Sequence, residues 1–227
     1  MDTSRIAALL EPFLESPLSS SQLDQISIYI DLLLRWNARI NLTAIRREEE
    51  IVTRHFGESF FLARHLFPAT PPPAPGAPLI AHFAMSGPSA QVLDIGSGAG
   101  LPALPLKIWA PQLHLTLIES NHKKAAFLRE AARALTLTNI NVTTDRAEVL
   151  AANPDFPRAH LVTLRAVEHF ETILPQATAL LAPHASLALL IGLAQLPSLA
   201  PLTTLHWHPP IPVPQSHSRV LSIGVHK

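Results

Sequence analysis

Gly96-Ser97-Gly98-Ala99-Gly100 follows an apolar run, Gln91 to Ile95, and opens a helical stretch that reaches Trp109. Three glycines in five residues let the backbone turn left-handed and pass close to a bound molecule without side-chain clash. A chain built this way leaves a strand, turns sharply and enters a helix. The pattern repeats downstream. Leu113 to Ile118 predicts a second strand, ending at Glu119, and then a helix from His122 to Leu135. Asn141 to Thr144 predicts a third strand. Leu161 to Arg165 predicts a fourth, followed by a helix at about 171–182, and Leu187 to Ile191 a fifth. Strands alternating with helices predict an α/β fold with a parallel sheet covered on both faces. The tail departs from the alternation. Leu202 to Trp207 and Arg219 to Val225 read as two strands joined through Pro209, Pro210, Pro212 and Pro214, an antiparallel hairpin expected to close the sheet.

The first third of the chain has a different period. Leu23, Ile26, Ile30, Leu33 and Leu34 are spaced as on one helix face, which predicts a helix over 22–40 with Ser21 and Asp24 as a capping box. A second helical stretch runs from Glu48 to Phe67. Its first turn carries Glu48, Glu49 and Glu50, where the helix dipole favours acids. Six prolines then fall in the eleven residues from Pro68 to Pro78, which neither a helix nor a central strand tolerates. Residues 79–90 carry no assignable pattern. The expected organisation is a helical region over 1–67, a proline-rich linker over 68–90 and an α/β domain over 91–227.

Hydrophobic residues make up 48% of the 227 and charged residues 15%, enough apolar surface for a sizeable core, so disorder of the whole chain is excluded. The apolar patch Ile6 to Leu10 is too short for a signal segment. Ala177 to Ala194 is interrupted by Pro183 and His184 and is too broken for a membrane span. The absence of cysteine rules out disulfides, cysteine-ligated zinc and thiol chemistry, and fits a reducing cytoplasm. Seventeen basic residues balance seventeen acidic ones, so overall charge gives no argument for nucleic acid. Local clusters do. Lys123, Lys124, Arg129, Arg133 and Arg146 lie within one stretch, and Arg35, Arg39, Arg46, Arg47, Arg54 and Arg64 within another.

The glycine loop departs from the dinucleotide fingerprint, because its third glycine stands at the fifth position and Leu101 at the sixth. Glu119, 23 residues after Gly96, closes the second strand, where a carboxylate can accept from both hydroxyls of a ribose. Ribose recognition without a pyrophosphate cradle favours S-adenosylmethionine over a dinucleotide or a plain turn. Asp94 is placed to hold the loop or the sulfonium end of that cofactor. Arg146-Ala147-Glu148, after the third strand, falls where adenine would be held, or is a surface turn. Arg165, at the end of the fourth strand, is placed to reach cofactor and substrate; the alternative is a surface ion pair with Glu168 or Glu171. His206 and His208 share a strand face without a third ligand, so no metal site is expected.

These residues, taken together with Arg35-Trp36-Asn37, Asn41-Leu42-Thr43, Arg54-His55 and Ser59, resemble the bacterial small-subunit (16S) rRNA guanine-N7 methyltransferases, the glucose-inhibited division protein B family. Further matches are Gly100-Leu101-Pro102, Lys123, Phe127-Leu128-Arg129 and Arg165-Ala166. The resemblance covers roughly residues 20–67 and 91–192. It implies a Rossmann-like, S-adenosylmethionine-dependent methyltransferase with an N-terminal helical extension. Gly96, Gly98, Leu101, Glu119, Ala147, Glu148 and Arg165 would hold the cofactor. Arg165 would also be the catalytic residue, as an orienter of guanine, and Lys123, Lys124 and Arg146 would meet RNA. The family's aspartate before Ser59 is here Glu58, and its lysine after the fifth strand is here Ile191. The resemblance implies 16S rRNA (530-loop region) or the 30S subunit as partner, a cytoplasmic location and no membrane contact; a monomer is expected. The rival readings are a small-molecule methyltransferase and a non-catalytic RNA-binding assembly module, for which Ile191 is the only pointer.

Overall fold

Burial along the central strands alternates with period two. Leu187, Leu189 and Ile191 enter one apolar core, while Ala188 and Leu190 enter the other, so the sheet is covered on both faces. The computed structural model describes residues 1–68, 90–167 and 169–227. The interior of the proline-rich linker and Glu168 lie outside the described residues.

The sheet comprises β1 (Gln91–Ile95), β2 (His114–Ile118), β3 (Ile140–Thr143), β4 (Ala159–Arg165), β5 (Leu181–Gly192), β6 (Leu205–Trp207), β7 (Ile211–Pro212) and β8 (Arg219–His226). Its order is β3-β2-β1-β4-β5-β8-β6, with β7 pairing β8. β1 to β5 are parallel. β8 runs antiparallel between β5 and β6, so the expected C-terminal hairpin does close the sheet. Two details differ from expectation. β5 begins six residues earlier than the apolar run suggested and passes His184 at φ +60°. The proline-rich turn contains β7, a two-residue edge pairing where Pro212 is tolerated because no further strand needs its missing N–H.

The helices are α1 (Thr3–Leu10), α2 (Ser20–Asn37), α3 (Glu48–Glu50), α4 (Glu58–Leu66), α5 (Ala103–Trp109), α6 (His122–Ala134), α7 (Ala147–Ala152) and α8 (Phe170–Ala179). The capping box of α2 lies two residues before the one expected. Ser19 caps the helix and Gln22 reaches back to the Ser19 N–H, because the chain turns helical at Ser20. α3 and α4 are joined by a π-helical segment, Ile51–Gly57, within the predicted 48–67 stretch. α7 and α8 cover one face of the sheet. α5 and α6 cover the other, and α1, α2 and α4 pack outside them in the same continuous core. Tyr29, Phe56 and Phe127 meet there, with the Tyr29 and Phe56 rings edge to face at 5.1 Å.

Gly57 shows how tightly the N-terminal helices are seated. A Cβ at this position would lie 2.7 Å from the Phe13 ring. Gly57→Ala should therefore lower stability by ~1–3 kcal/mol through overpacking, despite the better helix propensity of alanine. Urea unfolding checks this, and a midpoint equal to or above the wild type would mean that the ring moves aside freely.

Candidate functional site

The strand order reverses between β1 and β4, and the crevice at such a reversal, outside the carboxyl ends of the strands, is where open α/β sheets bind ligands. A cavity of about 790 Å³ opens there. That volume suits a molecule of cofactor size with room beside it. One wall is the glycine loop together with the ends of β2 and β3. The opposite wall is the end of β4, the start of α8, and the Leu42-Thr43-Ala44 turn with His55 from the N-terminal helices.

The loop has its shape because Glu119 and Tyr29 hold it from two sides. Glu119 Oε2 accepts from the Gly98 N–H at 2.8 Å, and Oε1 accepts from the Asn121 N–H at 2.8 Å. Asn121 in turn caps α6 by accepting from Lys123 and Lys124 N–H. Each carboxylate oxygen keeps a second lone pair for a ligand. From the other side, the buried Tyr29 hydroxyl donates to the Ala99 carbonyl. Gly100 sits at φ +76°, and a Cβ there would lie 2.6 Å from the Tyr29 oxygen and from Leu104. At Gly98, φ +52°, a Cβ would meet nothing closer than the Gly96 carbonyl at 3.7 Å, so the missing side chain leaves the cavity floor open.

Arg165 is buried, with its side chain 7% exposed. Its Nη2 lies 3.2 Å from Glu58 Oε2, donates to the Arg54 carbonyl at 2.6 Å, and reaches His55 Nδ1 at 3.1 Å. Glu58 also pairs with Arg219 at 3.0 Å. The expected surface ion pair is corrected accordingly. The partner of Arg165 is Glu58 of α4, Glu171 bonds Ser198 instead, and Glu168 lies outside the described residues. The Arg54 carbonyl that accepts from Arg165 belongs to the π-helical segment, and such segments often mark functional sites.

The structure brings Gly96, Gly98, Leu101, Glu119, Ala147, Glu148 and Arg165 to one cavity, together with Lys124 and Arg146. Lys123 is exposed on α6 and does not line it. Arg146 and Glu148 face each other at 3.5 Å at the exposed rim. Asp94 lies behind the loop, buried and outside the lining, with Oδ1 accepting from the Thr163 hydroxyl at 2.6 Å and Oδ2 without a partner among the described residues. Ile191 is in the core, away from the cavity. Among the described residues no three ligating side chains gather as a metal site would need, and no helix is long and apolar enough to cross a membrane. The reading from sequence did not single out Tyr29, His169, Thr172 or Gln176. Of these, only His169 carries a structural mark, φ +53° in the turn after β4, where Ala166 at φ +49° is also left-handed. Such strain at non-glycine residues belongs to sites where the surroundings force it, and no sequence pattern announces it.

Burial and the Arg165, Arg54 and Arg219 charges push His55 down to about 3. Burial pushes Asp94 up to about 6, against the hydrogen bond from Thr163. His55 therefore makes stability fall as pH drops from 6.5 towards 3, because the unfolded chain takes up the proton first. Asp94 works in the opposite sense between about 6 and 3.8, where the folded chain takes up the proton first. Asp94→Asn removes that offset. Its Tm should fall more steeply than that of the wild type between about pH 6 and pH 4, and parallel curves would mean that Asp94 stays ionised throughout.

The sequence matches the family described as rRNA small subunit methyltransferase G over residues 22–70 and 78–202. It is 40% identical over 157 residues to the ribosomal RNA small subunit methyltransferase G of Roseiflexus castenholzii, covering 69% of this chain and 59% of that protein. It is 38% identical over 197 residues to the protein of the same name from Xanthomonas axonopodis pv. citri, covering 85% and 82%. The match thus spans about three fifths of the Roseiflexus relative and four fifths of the Xanthomonas one. In fold it is similar to TrmN from Thermus thermophilus, at a TM-score of 0.54 and 18% identity, over 78% of this chain and 53% of that one. With the family match covering more than half of its residues, the chain belongs to the rRNA small subunit methyltransferase G family.

Proposed function

We propose that this protein transfers a methyl group from S-adenosylmethionine to N7 of a guanine in 16S rRNA, in the 530-loop region of the small ribosomal subunit. The observation that carries the reading is the Glu119 carboxylate. Both of its oxygens are fixed by backbone N–H groups, and both keep a lone pair at the edge of a cavity floored by Gly98. Two ribose hydroxyls would find two oriented acceptors there. Ala147 and Glu148, which open α7 after the turn that follows β3, line the cavity where an adenine would be in reach. The bound cofactor supplies a methyl group activated by its sulfonium.

Guanine N7 carries its own lone pair, so this reaction needs no general base. The work of the residues is positioning. Arg165, clamped by Glu58, Arg54 and His55, gives the wall beside β4 a fixed guanidinium, whose planar fork suits an orienting role. Lys124 and Arg146 line the cavity, and Arg35, Arg39, Arg46 and Arg54 in the N-terminal region and Lys123 and Arg133 on α6 are exposed, so all are available for phosphate contacts. A monomer acting in the cytoplasm, where small subunits are assembled, is the form we propose.

Incubation with labelled S-adenosylmethionine and undermethylated 30S particles should place the label on one guanine of 16S rRNA. Tight binding of NAD with none of S-adenosylmethionine would sink the reading. Calorimetry should show Glu119→Ala weakening cofactor binding by ~1–3 kcal/mol, the cost of losing buried hydrogen bonds. The double variant Lys123→Ala, Lys124→Ala should weaken rRNA binding and make its log–log salt dependence shallower by roughly one to two units, since fewer counterions are released. An unchanged slope would put the RNA on another face.

A further inference from the structure

The hydrogen bonds running from Arg165 to the cavity have a fixed direction. A guanidinium has donors and no acceptor, so His55 Nδ1, 3.1 Å from Arg165 Nη2, must accept. The proton of the neutral ring is then on Nε2, which lies 2.7 Å from Thr43 Oγ1 and must donate to it. The Ile45 N–H also donates to Thr43 Oγ1, at 3.1 Å. Both lone pairs of that hydroxyl are thereby taken, and its own proton has no acceptor among the described residues. The backbone of Thr43 cannot turn away. Its N–H is held by Asn37 Oδ1 at 3.1 Å, and its carbonyl by Asn37 Nδ2 at 2.9 Å and Arg46 at 2.9 Å. Thr43 lines the cavity on the wall opposite Glu119.

We propose that the Thr43 hydroxyl donates to O6 of the target guanine and so selects guanine over adenine. The inference rests on the guanine-N7 reading above and deepens it. A cofactor held through its ribose at Glu119 would leave the Thr43 side of the same cavity for the base. Guanine presents O6, an acceptor, next to N7. Adenine presents an amino group there, a donor. A hydroxyl whose lone pairs are both filled can only donate, so it matches the first and meets the second proton to proton. Thr43 would then hold N7 in line while Arg165 and His55 set the direction of its proton.

The test is a two-by-two cycle of single-turnover methyl transfer, with wild type and Thr43→Val each given RNA carrying guanine or 2-aminopurine at the target. 2-Aminopurine keeps N7 and lacks O6. Wild type should lose about tenfold or more on 2-aminopurine, as for one buried hydrogen bond left unmade. Thr43→Val should lose a similar factor on guanine and little further on 2-aminopurine. Thr43→Ser should keep the wild-type preference. Thr43→Cys, whose sulfur still accepts weakly but donates poorly, replaces the valine variant if that variant melts early. Losses that multiply would overturn the proposal, as would a wild type indifferent to O6. A fall in S-adenosylmethionine affinity with equal losses on both bases would assign the hydroxyl to the cofactor and also overturn it. Absence of any transfer to guanine by the wild type would overturn the underlying reading itself, and that result is visible before any variant is made.

Discussion

A single buried carboxylate ties the molecule together. Glu58, 3% exposed, sits on the N-terminal α4 and pairs with Arg165 at the end of β4 and Arg219 at the start of β8. Removing one member of such a buried pair costs ~3–5 kcal/mol because it strands the other charge, so no one of the three groups can be changed alone. The carboxylate reaches both arginines from a helix packed outside the sheet.

The same helices also shape the cofactor side. Tyr29 of α2 donates to the glycine loop, and Gly100 has no room for a side chain because Tyr29 and Leu104 fill it. The N-terminal helices therefore build two walls of the site. They clamp the loop at Ala99, and they present Thr43 and His55 across from it. A cavity lined from both parts of the chain cannot change shape at one wall without disturbing the packing around Phe56, Phe60 and Phe127.

Protonation in this region follows from burial. His55 is kept neutral by burial and by three arginines, and the Arg165 donor at Nδ1 fixes its proton on Nε2, which makes it a conductor of hydrogen-bond direction. Asp94 is buried with one oxygen unpartnered among the described residues and carries the opposite pH dependence. Two buried groups of opposite slope, one behind the glycine loop and one in the facing wall, soften the response of the fold to mild acid.

The sequence by itself determined the α/β alternation, the strand ends carrying Glu119 and Arg165, the glycine loop and the C-terminal hairpin. All of these depend on local signals: turn glycines and prolines, and the apolar runs between them. It also put Asn41-Leu42-Thr43 and Arg54-His55 on the page through their resemblance to a family, without saying what they touch. Only the tertiary structure decided that Arg165 pairs with Glu58, 107 positions away, and not with an acid in its own turn. It alone decided that the Arg54 carbonyl accepts from Arg165, that Tyr29 holds the loop, and that Lys124 lines the cavity while Lys123 does not. A pairing between distant elements depends on how helices stack on the sheet, and stacking is set by the summed shape of many side chains, which no local spacing encodes.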